Sequence, residues 1–181
     1  LATATDGTLG AGLQLPGSLA GTVCAQSFAQ VGGVTYFYAA RAGEATIHSY
    51  RMAADGSMTA LAPRVLAGAQ PGVDISALKV VTVGSETWVA SLSLGADVLR
   101  LCQVGTDGTL GPPAMIGVPQ GLGLANPAAI ETVTMDGLTY LVAAASGSSS
   151  VSVIELAPGG AMRVADHVVD TLDTRFQGVQ A

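Results

Sequence analysis

The chain has little charge, and most of that charge is negative. Only 11% of its 181 residues are charged, with seven basic against thirteen acidic side chains and a single lysine. Binding to nucleic acid or to an anionic membrane surface needs clustered positive charge, so the composition disfavours both kinds of partner. Low charge combined with high apolar content also argues against a disordered chain.

Long uninterrupted apolar stretches are missing too, although 49% of the residues are hydrophobic. Charges or glycines interrupt every apolar run before the roughly 20 residues that a membrane-spanning helix needs. We therefore expect no membrane span and, instead, strands that are buried on both faces. The first residues include neither an initiator Met nor a basic segment followed by an apolar one, which favours a mature, cleaved or partly observed segment of a longer polypeptide.

Cysteines and the common catalytic motifs are scarce. Cys24 and Cys102 are too few for a disulfide framework and lack metal-ligand spacing, so we expect both to be buried as small apolar residues. There is no Gly-x-Ser-x-Gly elbow, P-loop, His-Glu-x-x-His or EF-hand loop. Gly121-Leu122-Gly123 lacks the third glycine and the helix of a dinucleotide site. No cofactor is predicted from these motifs.

What the sequence does contain is an internal repeat. A short turn-like segment occurs at residues 5–10, 54–59, 106–111 and 158–162. A second pattern, in which threonine and an aromatic residue follow a glycine or serine, places Tyr36, Trp88 and Tyr140 at intervals of 52 residues. We expect these aromatic residues to hold equivalent positions on the second strands and to be substantially buried between blades. Two unrelated signals share one period, and this period decides the predicted fold.

Each repeat divides into four strand-like runs separated by turn residues. The predicted strands are residues 23–31, 35–40, 47–52 and 58–66, then 75–83, 87–92, 98–104 and 110–118, then 128–135, 139–144, 151–156 and 162–168. The pairs Asp55-Gly56 and Asp107-Gly108 are typical of tight hairpins, because such turns need positive φ. No stretch has the apolar spacing of a long helix.

Four antiparallel strands in about 40–50 residues are typical of one β-propeller blade. We predict an all-β propeller segment with the end of a preceding blade in residues 1–21, blades in residues 22–73, 74–125 and 126–177, and the start of another in residues 178–181. A β-sandwich is the alternative fold, but it does not require a fixed period.

Three blades are too few to close a ring, which takes about four or more. The length of 181 residues is close to half of a seven-bladed ring with this repeat. We therefore expect residues 8–15 and 179–181 to lie at junctions with further blades, supplied by the same polypeptide or by a second chain.

The turn Asp107-Gly108-Thr109-Leu110 and the strand start Gly-x-Thr-Tyr, found at residues 33–36 and 137–140, resemble the repeats of seven-bladed lactonase-like propellers. The likeness is greatest to versions inside large secreted bacterial proteins, often beside calcium-binding glycine-rich repeats, and it spans nearly the whole chain. It implies a seven-bladed ring and, where that family's polar site residues are present, hydrolysis of a sugar lactone.

Polar residues open two successive first strands. Asp74 and Asn126 are 52 residues apart, and Thr22 and Gly178 hold the equivalent positions on either side. Such residues reach the mouth of the axial channel in a propeller, where Asp74 and Asn126 could bind a ligand or a metal ion. The favoured interpretation is structural: each side chain bonds its own loop, as Asp and Asn commonly do.

Other candidate residues are weaker. Asp170 and Asp173 lie in a polar loop and could ligate calcium, but two carboxylates fall short of the six to eight oxygens that calcium takes, so a solvated loop is favoured. His48 has no carboxylate partner in its local sequence, so we expect a structural or surface role. Asp166 and His167 are adjacent in a strand and should point to opposite faces.

These observations favour a non-enzymatic binding or assembly module of a secreted or surface-associated bacterial protein, located outside the cell or at its surface. A protein or glycan partner would bind the interblade loops around residues 16–21, 67–74, 119–126 and 169–178. The alternatives are a lactonase-like hydrolase with an axial-channel site and a structural subunit of an appendage or particle. An axial site that joins Asp74 and Asn126 to polar residues of other blades would favour the hydrolase.

Overall fold

The computed structural model describes residues 21–66 and 74–171. They form three successive antiparallel sheets in which each strand pairs with the next along the chain, except that β5 of the first sheet pairs with β3. The first sheet contains β1 (Val23–Val31), β2 (Val34–Arg41), β3 (Thr46–Met52), β4 (Met58–Ala60) and β5 (Arg64–Val65); the second contains β6 (Ile75–Val83), β7 (Glu86–Ser93), β8 (Val98–Val104) and β9 (Leu110–Gly117); the third contains β10 (Pro127–Met135), β11 (Leu138–Ala145), β12 (Ser150–Leu156) and β13 (Met162–Val169). The predicted all-β blade architecture is confirmed.

The outer edge of the first blade differs from the prediction. Residues 58–66 were predicted as one strand, but β4 and β5 are separate and both pair with β3. Pro63 lies in the interruption and has no backbone N–H to donate to the ladder, which accounts for the break. Helical structure among the described residues is limited to single 3₁₀ turns at Val118–Gln120 and Pro158–Gly160.

The blades repeat in fine detail as well as in outline. The first two strands of every blade shift register at the same place, so that Cys24, Ser76 and Ala128 each occupy a β-bulge, 52 residues apart. The prediction that both cysteines are buried is wrong for Cys24. Cys24 lies on the innermost strand of its blade and is exposed, whereas Cys102 on β8 is fully buried, as expected.

The Asp-Gly turns form as predicted. Gly56 and Gly108 have φ of 83° and 82°, values that favour glycine. The carboxylate of Asp55 accepts the backbone N–H of Ser57 at 2.9 Å, and that of Asp107 accepts the N–H of Thr109 at 3.0 Å. These aspartates close hairpins, in agreement with their assignment to turn geometry.

Apolar side chains fill the spaces between blades. Tyr38 and Ile47 of the first blade pack with Val89 and Cys102 of the second. The second and third blades share a further cluster that includes Leu92, Leu101, Leu141 and Ile154. Adjacent strand residues on both faces are buried in the middle of the array, which explains the unbroken apolar runs of the sequence.

An aromatic ring rests on a glycine turn at each of these two interfaces. A Cβ atom on Gly108 would lie 2.8 Å from Cγ of Tyr36, and one on Gly160 would lie 2.6 Å from Cζ3 of Trp88, distances that real Cβ atoms do not adopt. In both cases the glycine follows the aromatic residue by 72 positions and belongs to the next blade. Only glycine leaves room for the ring at these turns.

Burial of the repeated aromatic residues is confirmed for two of them. Tyr36 and Trp88 are 3% and 6% exposed. Tyr140, the third, is only half-buried, and Met135 and Leu138 of the same hairpin are exposed. Burial of Tyr140 between two blades stays a prediction, because no described blade covers that face of the third sheet.

The predictions for residues 8–15, 178–181 and much of the interblade loops lie outside the described residues.

Candidate functional site

The three first strands β1, β6 and β10 begin at one end of the blades, which also carries the β2–β3, β7–β8 and β11–β12 turns. We call this the entry end. Asp74 and Asn126 lie there, at the residues that precede β6 and β10.

Asp74 connects two blades. Its carboxylate accepts the backbone N–H of Gly43, in the β2–β3 turn of the first blade. Its carbonyl oxygen accepts the N–H of Leu94 at 2.8 Å, in the turn of its own blade. The side chain therefore fixes a neighbouring turn, which is a structural role, although the bond crosses to another blade rather than remaining in its own loop.

Asn126 forms local bonds. The side-chain nitrogen of Asn126 donates to Oγ of Ser146 at 2.8 Å. The backbone carbonyl oxygen of Asn126 accepts from the backbone N–H and the hydroxyl of Ser146 at 3.1 and 3.0 Å. The residue has φ of 49°, which asparagine tolerates better than most residues. These contacts match the structural interpretation. A ligand or metal site that uses Asp74 and Asn126 together stays a prediction.

Of the two aspartates predicted as calcium ligands, the structure describes Asp170. The backbone N–H of Asp170 donates to the carbonyl of Ser149 at 2.7 Å, so the chain at Asp170 is tied to the β11–β12 turn. Asp173 lies outside the described residues. Within residues 21–66 and 74–171, no group of three or more His, Cys, Asp or Glu side chains is placed to hold a metal ion.

An arrangement of three charged or titratable side chains at the entry end was not predicted from the sequence. Nε2 of His48 lies 2.9 Å from Oε2 of Glu44, and the guanidinium of Arg41 binds the same carboxylate through Nε at 3.2 Å and through Nη2. The expectation that His48 lacks a local carboxylate partner is thus wrong. Glu44 lies in the turn before β3, and the folding of that turn brings it back to a residue of the strand.

The neighbours of Glu44 favour its ionised form. The hydrogen bond from His48, assisted by the Arg41 guanidinium, holds the pKa of the Glu44 carboxyl below its ordinary value. An ionised carboxylate can only accept, so the neutral imidazole carries its proton on Nε2 and presents Nδ1 as an acceptor. The Asp74–Gly43 bond restrains the same turn, so contacts from two blades hold the geometry.

The other histidine has a different partner. Nδ1 of His167 lies 2.9 Å from Oγ of Ser152, while the carboxylate of Asp166 accepts the backbone N–H of His167 at 2.8 Å. Asp166 and His167 thus do not interact through their side chains, in agreement with their places on opposite faces of β13.

A further ion pair crosses between first strands. Nζ of Lys79 on β6 binds the carboxylate of Glu131 on β10, and the two residues are 52 positions apart. This ion pair joins the first strands of the second and third blades, and no motif in the sequence predicted it.

The fold is shared with solved bacterial structures. The periplasmic gluconolactonase PpgL of Pseudomonas aeruginosa superposes with a TM-score of 0.60 at 20% sequence identity, over 74% of this chain and 36% of its own length. A protein from Lactobacillus plantarum superposes with a TM-score of 0.58 at 21% identity, over 76% of this chain and 40% of its own. The chain has a partial lactonase-like propeller fold. It spans less than half of the length of either structure.

No protein-family model and no curated protein sequence matches the chain. Among the described residues, no helix combines the length and apolar character needed to cross a bilayer.

Proposed function

We propose that this chain is part of a lactonase-like propeller hydrolase and that His48 is its general base. The observation that carries the proposal is the 2.9 Å contact between Nε2 of His48 and Oε2 of Glu44 at the entry end. The fold shared with a gluconolactonase supports a lactone as the substrate class. The side chain of His48 is 14% exposed, which leaves a limited opening toward solvent.

The geometry suits hydrolysis of a cyclic ester. Glu44 holds the imidazole through Nε2–H, so Nδ1 takes a proton from a water molecule as its oxygen attacks the lactone carbonyl carbon. The bond between that carbon and the ring oxygen then breaks, and the proton on Nδ1 passes to the leaving ring oxygen. The product is an open-chain hydroxy acid. Arg41 acts as a positioning residue, since it binds Glu44 through two nitrogens.

Hydrolysis of δ-gluconolactone by the protein, corrected for the spontaneous reaction, tests the proposal. Replacing His48→Gln should lower the catalysed rate by about 10²–10⁴-fold, the usual contribution of a general base. The matched control is His167→Gln, which removes the other histidine and should leave the rate unchanged. Equal rates for His48→Gln and the unmodified protein would contradict the assignment.

The same likeness supports a location outside the cytoplasm, in the periplasm or the secreted fraction, because the gluconolactonase of P. aeruginosa is periplasmic. Cell fractionation of the native bacterium with an antibody to this chain checks it. Recovery in the cytoplasmic fraction alone would contradict the proposed location.

Assembly is a second candidate function, favoured by a specific surface. Met135, Leu138 and Val133 are exposed on the same hairpin of the third blade, beside the half-buried Tyr140. Contiguous apolar surface on a soluble protein commonly marks a contact site. We propose that a further blade covers this face, from the same polypeptide or from a second chain.

The solution mass of the 181-residue chain tests this second proposal. We expect self-association that weakens when Met135 and Leu138 are both replaced by serine. The matched control replaces Met115 and Val118, exposed residues of the second blade, in the same way. A stable monomer with a cooperative melt would contradict the proposal.

A further inference from the structure

A polar cluster is buried on the face of the second blade that packs against the first blade. Arg100 on β8 is 2% exposed, and Ser91 and Ser93 on β7 are fully buried. A charged residue is almost never buried to this degree unless it is paired.

The cluster faces the first blade. Ser91 is the cross-strand partner of Arg100, so both side chains lie on the same face of the sheet. Val89 and Cys102 share this face, since each is two positions away along its strand, and both pack with Tyr38 of the first blade. Arg100 therefore lies in the space between the first two blades.

The hydrogen-bonding capacity of Arg100 is largely unused. Among the described residues, its one hydrogen bond runs from Nη1 to Oγ of Ser93 at 3.3 Å, although a guanidinium has five N–H donors. Nε of Arg100 and Oγ of Ser91 are buried without a partner. Among the described residues, no carboxylate forms an ion pair with Arg100, and burial lowers the pKa of its guanidinium.

The polar side chains at the equivalent positions of the other two blades have hydrogen-bond partners. His48 lies 52 residues before Arg100 and pairs with Glu44, and Ser152 lies 52 residues after it and bonds His167. The repeat thus places a polar group at this point of each third strand. Only the second blade, within the described residues, carries a full charge there without a counter-charge.

A guanidinium does not lose its proton in a protein, so Arg100 remains a cation in its buried position. An unpaired buried charge is strongly unfavourable, and water can satisfy N–H groups without supplying the opposite charge. We propose that Arg100, with the hydroxyls of Ser91 and Ser93, binds a small monovalent anion, chloride or a carboxylate such as formate, between the first two blades. The planar N–H groups of arginine suit a carboxylate, and serine hydroxyls donate to either anion.

Thermal unfolding in chloride and formate tests the proposal. An anion bound only by the folded chain stabilises it by an amount that grows with the logarithm of the anion concentration above the dissociation constant. The melting temperature of the unmodified protein should therefore rise with either salt at constant ionic strength. Arg100→Met keeps the length of the side chain and removes the charge, so the rise should disappear. The matched control is Arg51→Met, at an exposed arginine, which should preserve it. Identical salt dependence in all three proteins would overturn the proposal.

The ³⁵Cl line width of chloride in the presence of the unmodified protein provides a second test, which does not depend on the variant folding. A saturable broadening indicates chloride binding. If formate removes the broadening, the site binds both anions. If the broadening persists in formate, the site binds chloride alone. The absence of both saturable broadening and formate-dependent melting would mean that water satisfies Arg100, and would overturn the proposal.

Discussion

Replacing Gly160 by alanine tests the contact between the second and third blades. Gly160 and its neighbour Gly159 have φ of 78° and 79°, so an alanine at either position meets nearly the same backbone strain. They differ in what lies above them: a Cβ on Gly160 would lie 2.6 Å from Cζ3 of Trp88, whereas nothing lies within 4 Å of one on Gly159. The pair therefore separates backbone strain from the clash with the ring.

The expected magnitudes follow from these two terms. A left-handed conformation costs an alanine about 1–2 kcal/mol, which is the whole expected effect of Gly159→Ala. Overpacking against the ring adds about 1–3 kcal/mol in Gly160→Ala. Since 1 kcal/mol shifts the melting temperature of a chain of this size by about 2–4 °C, Gly160→Ala should melt about 2–12 °C below Gly159→Ala.

Thermal and urea unfolding followed by circular dichroism would measure the difference. A double variant isolates the ring: once Trp88 is replaced by alanine, the two glycine substitutions should have equal effects, because the clashing atoms are gone. Equal melting temperatures of Gly159→Ala and Gly160→Ala in the presence of Trp88 would refute the proposed packing.

Three further outcomes are expected. Trp88→Ala should lower the free energy of unfolding by about 3–5 kcal/mol, and Tyr140→Ala by clearly less because Tyr140 is half-buried; urea denaturation of both variants checks the order. The lowered pKa of Glu44 stabilises the folded chain at pH values above the ordinary carboxyl pKa, and this stabilisation is lost as the pH falls through the folded-state pKa. Glu44→Gln should therefore flatten the acid side of a curve of stability against pH. An unchanged curve would contradict the contact between Glu44 and His48. The exposed Lys79–Glu131 pair should contribute at most about 1 kcal/mol in a double-mutant cycle and less at high salt, and a coupling that salt leaves unchanged would count against it.

The fold could be predicted because its determinants are local and repeated. An Asp-Gly turn needs positive φ wherever it occurs, and the aromatic of each second strand needs a glycine below it in the next blade. The Asp-Gly turns at residues 55 and 107 and the aromatic–glycine contacts of the first two blades recur at 52-residue intervals, so they appear as a period in the sequence. The exception, Tyr140, shows the limit: its position follows from the repeat, but its burial depends on a neighbour outside the described residues.

The candidate site could not be predicted in the same way. Glu44 and His48 are four residues apart, a separation of about 13 Å along an extended strand, and only the folding of the β2–β3 turn brings their side chains together. The burial of Arg100 was equally hidden. Strands covered on both faces lack the alternation of polar and apolar residues that would reveal which face a single arginine occupies.

The fluorescence of the single tryptophan tests most directly whether successive blades stack with an aromatic ring on the glycine turn of the next. If the ring is buried there, emission from Trp88 lies at a shorter wavelength in the folded chain than in urea, and acrylamide quenches it weakly. Gly160→Ala should move the emission, and Gly159→Ala should leave it unchanged. A folded chain whose tryptophan emits and is quenched as in urea would contradict the stacked-blade arrangement.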